Sequence, residues 1–90
     1  MAKASVDPAE LKRFAKDLSR FNHDVQALMS SLHARMLHLE KTWRDQEQRK
    51  FAEEFELTLK TLSRFVQTSE EHVGFLMRKA AHVEEYLQQR

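Results

Sequence analysis

Residues that favour turns are almost absent from this chain of 90 residues, which contains one glycine, Gly74, and one proline, Pro8. Glycine and proline are the strongest local signals for turns, so few turns are expected. Charged residues make up 32% of the chain and hydrophobic residues 41%, proportions typical of long helices and helical bundles. The composition therefore predicts a chain that is nearly all helix.

A first helix is predicted to begin at SVDPAEL. Asp7 is suited to capping the exposed N–H groups, Pro8 to the first helical position, and Glu10 to reaching back from the third. The apolar residues that follow recur at alternating steps of three and four: Leu11, Phe14, Leu18, Phe21, Val25, Leu28 and Leu32. This spacing predicts a heptad seam, in which Arg35 would take the next core position.

The pattern restarts after Trp43. Asp45 and Gln48 form a second capping-box signature, in a stretch without an apolar residue before Phe51. A second apolar stripe follows: Phe51, Phe55, Leu59, Leu62, Val66, Val73, Leu76, Ala80, Val83 and Leu87. Ser69 is its one polar interruption. A third helix capped by Ser69 is an alternative, but the heptad phase continues across QTSEE and favours one unbroken helix.

These elements predict a single all-α domain over residues 1–90, an antiparallel two-helix hairpin. The first helix is expected over about 8–43, the joint over 44–46 and the second helix over 46–88. A hairpin alone would leave much apolar surface exposed to water, so two hairpins are expected to dimerise into a four-helix bundle. The predicted dimer or core seam contains Leu18, Phe21, Val25, Leu28, Leu32, Leu59, Leu62, Val66, Val73 and Leu76.

Several kinds of function are disfavoured by the sequence. The 15 basic and 14 acidic residues give a net charge of +1, which argues against nucleic acid as a partner. No two of the five histidines lie three or four residues apart, so no metal site is predicted. No cofactor is implied and no catalytic constellation is present, so the chain is not expected to be an enzyme. No apolar run approaches the roughly 18 residues of a membrane span.

The middle of the chain, KTWRDQEQRKF, carries a family resemblance. The only tryptophan, Trp43, ends one predicted helix, a tight joint follows, and Phe51 begins the next helix. Together with the segments VDPAELKRFA, FAEEF and AAHVEEY, this arrangement resembles the WXG family of small helical hairpins exported by type VII secretion systems. Asp45 stands where the family has glycine. Trp43, Asp45 and Phe51 are therefore the predicted hairpin bend, and a partner-recognition role for Trp43 is the alternative interpretation.

The resemblance implies a non-enzymatic protein that acts through dimerisation. A homodimer is expected, and a heterodimer with a sister hairpin is the alternative. The implied location is the cytoplasm before export, and export would need no cleaved signal peptide. In the family, a secretion ATPase reads a tail with an acidic residue four positions after a tyrosine. Here Tyr86 is followed at that spacing by Arg90, so Tyr86 is at most a remnant of the signal. A cytosolic helical adaptor or coiled-coil regulator is the alternative function.

Overall fold

Two long helices make up nearly all of the computed structural model, which describes residues 6–89. They are α1 (Pro8–Leu39) and α2 (Gln46–Gln88), and the described residues contain no strand. Lys12 near the start of α1 contacts Glu84 near the end of α2, so the two helices run antiparallel. The molecule measures 69 × 16 × 13 Å. The predicted all-α antiparallel hairpin is confirmed.

Both helices begin with the predicted N-cap residues. The Asp7 carboxylate accepts a hydrogen bond from the N–H of Ala9 at 2.9 Å, and the Asp45 carboxylate accepts one from the N–H of Gln48 at 2.9 Å. The prediction that Glu10 and Gln48 reach back to the N-cap N–H groups is wrong: their side chains take other partners. Glu10 pairs with Arg13, and the Gln48 side chain donates to Glu40 at 3.3 Å. Each helix start is therefore stabilised by one carboxylate rather than by a reciprocal pair.

The first helix ends at Leu39, rather than near residue 43 as the apolar stripe suggested. The chain turns over residues 40–42, where the N–H of Thr42 donates to the Leu39 carbonyl at 3.1 Å. The N–H of Trp43 donates to the same carbonyl at 3.0 Å. That bond spans four residues as in a helix, which explains why Trp43 continued the helical spacing although the helix had ended.

The second helix is continuous through QTSEE, as the heptad phase predicted. Ser69 lies inside the helix and is buried against α1 rather than capping a new helix. Gly74 also lies within α2, at a helical φ. Its missing side chain weakens the helix by about 1 kcal/mol relative to alanine without breaking it.

The core between the helices is thin. Among the described residues only five hydrophobic side chains are buried: Ala15, Met36, Val66, Ala80 and Val83. Fourteen large hydrophobic side chains remain exposed. The chain exposes 7483 Å², whereas a compact monomer of 10.7 kDa exposes roughly 5,500 Å². One hairpin therefore leaves much of its apolar surface uncovered.

Candidate interaction surface

One edge of the hairpin is held by polar contacts between the helices. Lys12 donates to Glu84 at 2.7 Å, the amide of Asn22 donates to Glu70 at 3.0 Å, and the ring of His33 contacts Glu56 at 2.7 Å. We call these six residues the polar edge. These contacts pair the two helices across the seam within one hairpin, apart from the Oδ1 atom of Asn22, which has no partner among residues 6–89.

The spacing of the polar edge specifies the register of the hairpin. Glu56, Glu70 and Glu84 lie two heptads apart, and each meets a different donor on α1. A slip of one heptad would place Ser63 and Met77 at these positions, and all three contacts would be lost together. Exposed pairs such as Lys12–Glu84 contribute at most about 1 kcal/mol each. Their combined loss nevertheless discriminates against the slipped register.

Asn22 is the buried member of the polar edge. Its side chain is 0% exposed, and its Oδ1 atom has no hydrogen-bond partner within the described residues. A buried, unpaired acceptor costs about 1–3 kcal/mol. A polar residue in a helical seam commonly specifies register at such a cost in stability. Asn22 was not among the predicted core residues, because the predicted stripe ran through Phe14, Phe21 and Leu28, one position before the stripe that contains Asn22.

The opposite edge of the hairpin is apolar. Phe14, Phe21 and Leu28 lie seven residues apart on α1 and are 57%, 49% and 65% exposed. Phe65 and Phe75 of α2 are exposed beside them. We call these five residues the apolar face. A groove of about 400 Å³ runs into it, lined by Phe14, Leu18, Phe65, Thr68, Ser69, His72, Phe75 and Leu76.

The bend is ordered by aromatic contacts and by the cap of α2. The Trp43 and Phe51 ring centroids are 5.8 Å apart with a tilt of 35°, and Phe55 stacks on Phe51 at 5.8 Å. The indole of Trp43 is half-buried. Asp45 is extended, with φ of −88°, and no residue among 6–89 has a positive φ. The backbone of this bend therefore does not require a glycine.

Comparison with known proteins decides the family. A family model described as "Proteins of 100 residues with WXG" matches residues 3–86. The chain belongs to the WXG100 family. No curated protein matches it. The resemblance drawn from Trp43 and the surrounding segments is thereby confirmed.

The predicted seam of this WXG100 chain is divided between two surfaces. Six of its residues are buried or half-buried in the described structure: Leu18, Val25, Leu59, Val66, Val73 and Leu76. The other four are exposed: Phe21, Leu28, Leu32 and Leu62. Within α1, the residues that pack most deeply against α2 are Ala15 and Asn22, one position after Phe14 and Phe21. A role for the exposed four in a dimer stays a prediction.

The remaining predicted residues of the WXG100 chain lie on its surface. Arg35 is exposed rather than part of the core, and Tyr86 is 53% exposed near the end of α2. Arg90 lies outside the described residues. Over residues 6–89, no group of three histidine, aspartate or glutamate side chains is placed to hold a metal ion. Neither helix combines the length and the apolar character needed to cross a membrane.

Replacing the N-cap of α2 tests whether this bend needs its aspartate. Asp45→Ala is expected to lower the free energy of unfolding by about 1 kcal/mol, because the N–H of Gln48 loses its acceptor. Asp45→Gly, which restores the family residue, should cost only a few tenths of a kcal/mol, since glycine is itself a good N-cap. Urea unfolding followed by circular dichroism measures both. Equal losses for alanine and glycine would contradict the capping role.

Proposed function

We propose that this WXG100 protein is a non-enzymatic component of a type VII secretion system. Two copies would pack through the apolar face into a four-helix bundle, which acts through protein–protein contacts. The observation that carries the proposal is the exposure of Phe14, Phe21, Leu28 and Phe65 along one edge, opposite a polar edge whose residues already contact one another between the two helices. An apolar surface of this extent on a small protein marks an interaction site.

The excess surface area that one hairpin exposes matches the area that a stable dimer would bury. The hairpin exposes about 2,000 Å² more than a compact monomer of its mass. A stable dimer of the obligate type buries 2,000 Å² or more in total. Packing a second hairpin on the apolar face would therefore supply the core that one hairpin lacks.

Charges beside the apolar face favour a second copy of the chain as the partner. Asp17 and Asp24 lie three residues after Phe14 and Phe21, and Arg35 lies seven after Leu28. On α2, Glu54 lies eleven residues, about three helical turns, before Phe65, and Lys79 lies four after Phe75. Among these residues, the acidic groups precede the basic ones on each helix. Such a surface is complementary to its own reversed copy.

A single two-fold axis would place the acidic residues of both helices opposite basic residues of the second copy. An axis midway between Asp17 and Arg35 lies level with Gln26 of α1, and one midway between Glu54 and Lys79 lies beside Val66 of α2. These two levels coincide in the hairpin, because Asn22 contacts Glu70 one turn away from each. An antiparallel homodimer would thus place Asp17 near the partner's Arg35 and Glu54 near the partner's Lys79. Pairs of this kind contribute mainly to specificity and orientation.

Tyr86 and Arg90 occupy the positions of the family's export signal, so they affect how the proposed dimer would be exported. The family signal requires an acidic group four residues after the tyrosine, whereas Tyr86 is followed at that spacing by Arg90. A receptor site built for a carboxylate would meet a guanidinium of the wrong sign. We therefore propose that the chain alone is a poor export substrate, and that it is exported through a partner with an intact signal or through a different recognition mode.

Export tests this proposal directly. The chain is expressed beside its native secretion locus, and culture supernatants are compared for the wild type, Tyr86→Ala and Arg90→Glu. We expect little wild-type protein outside the cell without a partner and more of Arg90→Glu, because the substitution restores the acidic group. Efficient export of the wild type alone, undiminished by Tyr86→Ala, would overturn the role given to the tail. No export of any variant under any condition would favour the cytosolic adaptor.

A further inference from the structure

A hollow at the bend lies on the side of the polar edge. It is an open surface depression of about 490 Å³, lined by Leu37, Glu40, Lys41, Arg44, Gln48 and Arg49. Glu40 follows His33 by seven residues and Arg49 precedes Glu56 by seven, so both continue the phase of the polar edge. A partner that covers the apolar face would therefore leave the hollow open to solvent.

The hollow has an excess of positive charge. Three cationic side chains line it, whereas its one carboxylate, Glu40, already accepts a hydrogen bond from the amide of Gln48 at 3.3 Å. Arg44 uses its Nε atom to donate to the backbone carbonyl of Glu40 at 3.2 Å. Among residues 6–89, Lys41, Arg44 and Arg49 form no ion pair. The net charge of the lining is +2.

The structure of the bend positions Arg44 at the hollow. Arg44 lies between Trp43, which packs on Phe51, and Asp45, which caps α2. Gln48 also lines the hollow and is only 5% exposed. Leu37 adds apolar surface and is 50% exposed. Apolar contact area next to arginine is a composition enriched in protein–protein interfaces.

We propose that this hollow binds an acidic peptide segment of a partner protein. Carboxylates of the segment would pair with Arg44 and Arg49, whose planar guanidinium groups match a carboxylate in two-bond geometry, and with the ammonium of Lys41. An apolar side chain of the segment would rest on Leu37. A phosphate group would use the same cations, but it would leave Leu37 without a partner.

Binding can be followed by the fluorescence of Trp43, because Trp43 is the only tryptophan and is next to Arg44 in the sequence. The full-length chain is titrated with a peptide of alternating glutamate and leucine, and Trp43 fluorescence is recorded at low and at moderate salt. We expect a saturable change that weakens with salt. The double substitution Arg44→Glu with Arg49→Glu should weaken binding about tenfold or more.

A matched variant separates this site from general charge attraction. Arg20→Glu with Arg64→Glu makes the same change in net charge at two exposed positions away from the hollow and should leave binding unchanged. Equal losses in the two variants, or no saturable signal in the wild type, would overturn the proposal. Competition by inorganic phosphate as strong as by the peptide would also overturn it, in favour of a simple anion site.

These measurements distinguish a wrong assignment of the hollow from a wrong assignment of the dimer interface. The variant Arg44→Glu with Arg49→Glu retains the apolar face, so its sedimentation should equal that of the wild type. Loss of peptide binding with unchanged assembly supports the hollow independently of the proposed function. Loss of assembly in this variant would place the two arginines in the dimer interface, and the assignment of the hollow to another partner would be wrong.

Discussion

Substituting glutamate for Phe21 is expected to raise the dissociation constant of the proposed dimer by about 100-fold or more, while the hairpin stays helical. The ring is 49% exposed in the single hairpin and lies at the centre of the apolar face, so the dimer would bury it. A carboxylate placed there would be desolvated without a partner. A 100-fold change corresponds to about 2.7 kcal/mol, within the range of an interface hot spot. Sedimentation equilibrium measures the change.

The control is Leu57→Glu, which makes a closely similar chemical change on the outer side of α2. Leu57 is 62% exposed and lines neither the apolar face nor the groove in it. This variant should remain dimeric, and circular dichroism should show both variants to be as helical as the wild type. Dissociation by Leu57→Glu to the same extent as by Phe21→Glu would contradict the assignment of the apolar face as the dimer interface.

Removing the indole at the bend is expected to be the largest single loss of stability. Trp43→Ala should lower the free energy of unfolding by about 3 kcal/mol, the low end of the range for deleting a large aromatic side chain. The low end applies because Trp43 is half-buried and its main aromatic partner is Phe51, at 5.8 Å. The loss should appear in urea unfolding and as a lower melting temperature.

Leu57→Ala provides the comparison for the indole, since this exposed leucine has little packing to lose and should change stability by less than about 0.5 kcal/mol. A melt unaffected by Trp43→Ala would mean that the ring contributes nothing to the hairpin. The partner-recognition interpretation of Trp43 would then be favoured over the structural one.

Local chemistry explains why much of this fold was predictable. Asp7 and Asp45 are carboxylates that precede apolar-periodic segments, and each caps the helix that follows it. The end of α1 was less predictable. The hydrogen bond from Trp43 to the Leu39 carbonyl keeps helical spacing through a turn, and spacing alone cannot separate a turn of this kind from a last helical residue.

The sequence by itself determined two amphipathic helices, their starts and the tryptophan-containing bend between them, because capping and periodicity act between residues close in the chain. Only the tertiary structure decided which stripe of α1 faces α2. The stripe of Phe14 and Phe21 and the stripe of Ala15 and Asn22 both repeat every seven residues, and they lie only one position, about 100°, apart. Their spacing therefore does not distinguish them. The smaller residues are buried, and the aromatic rings remain on the surface. That choice depends on how closely two helices joined by a short bend can pack, and residues far apart in the chain determine it.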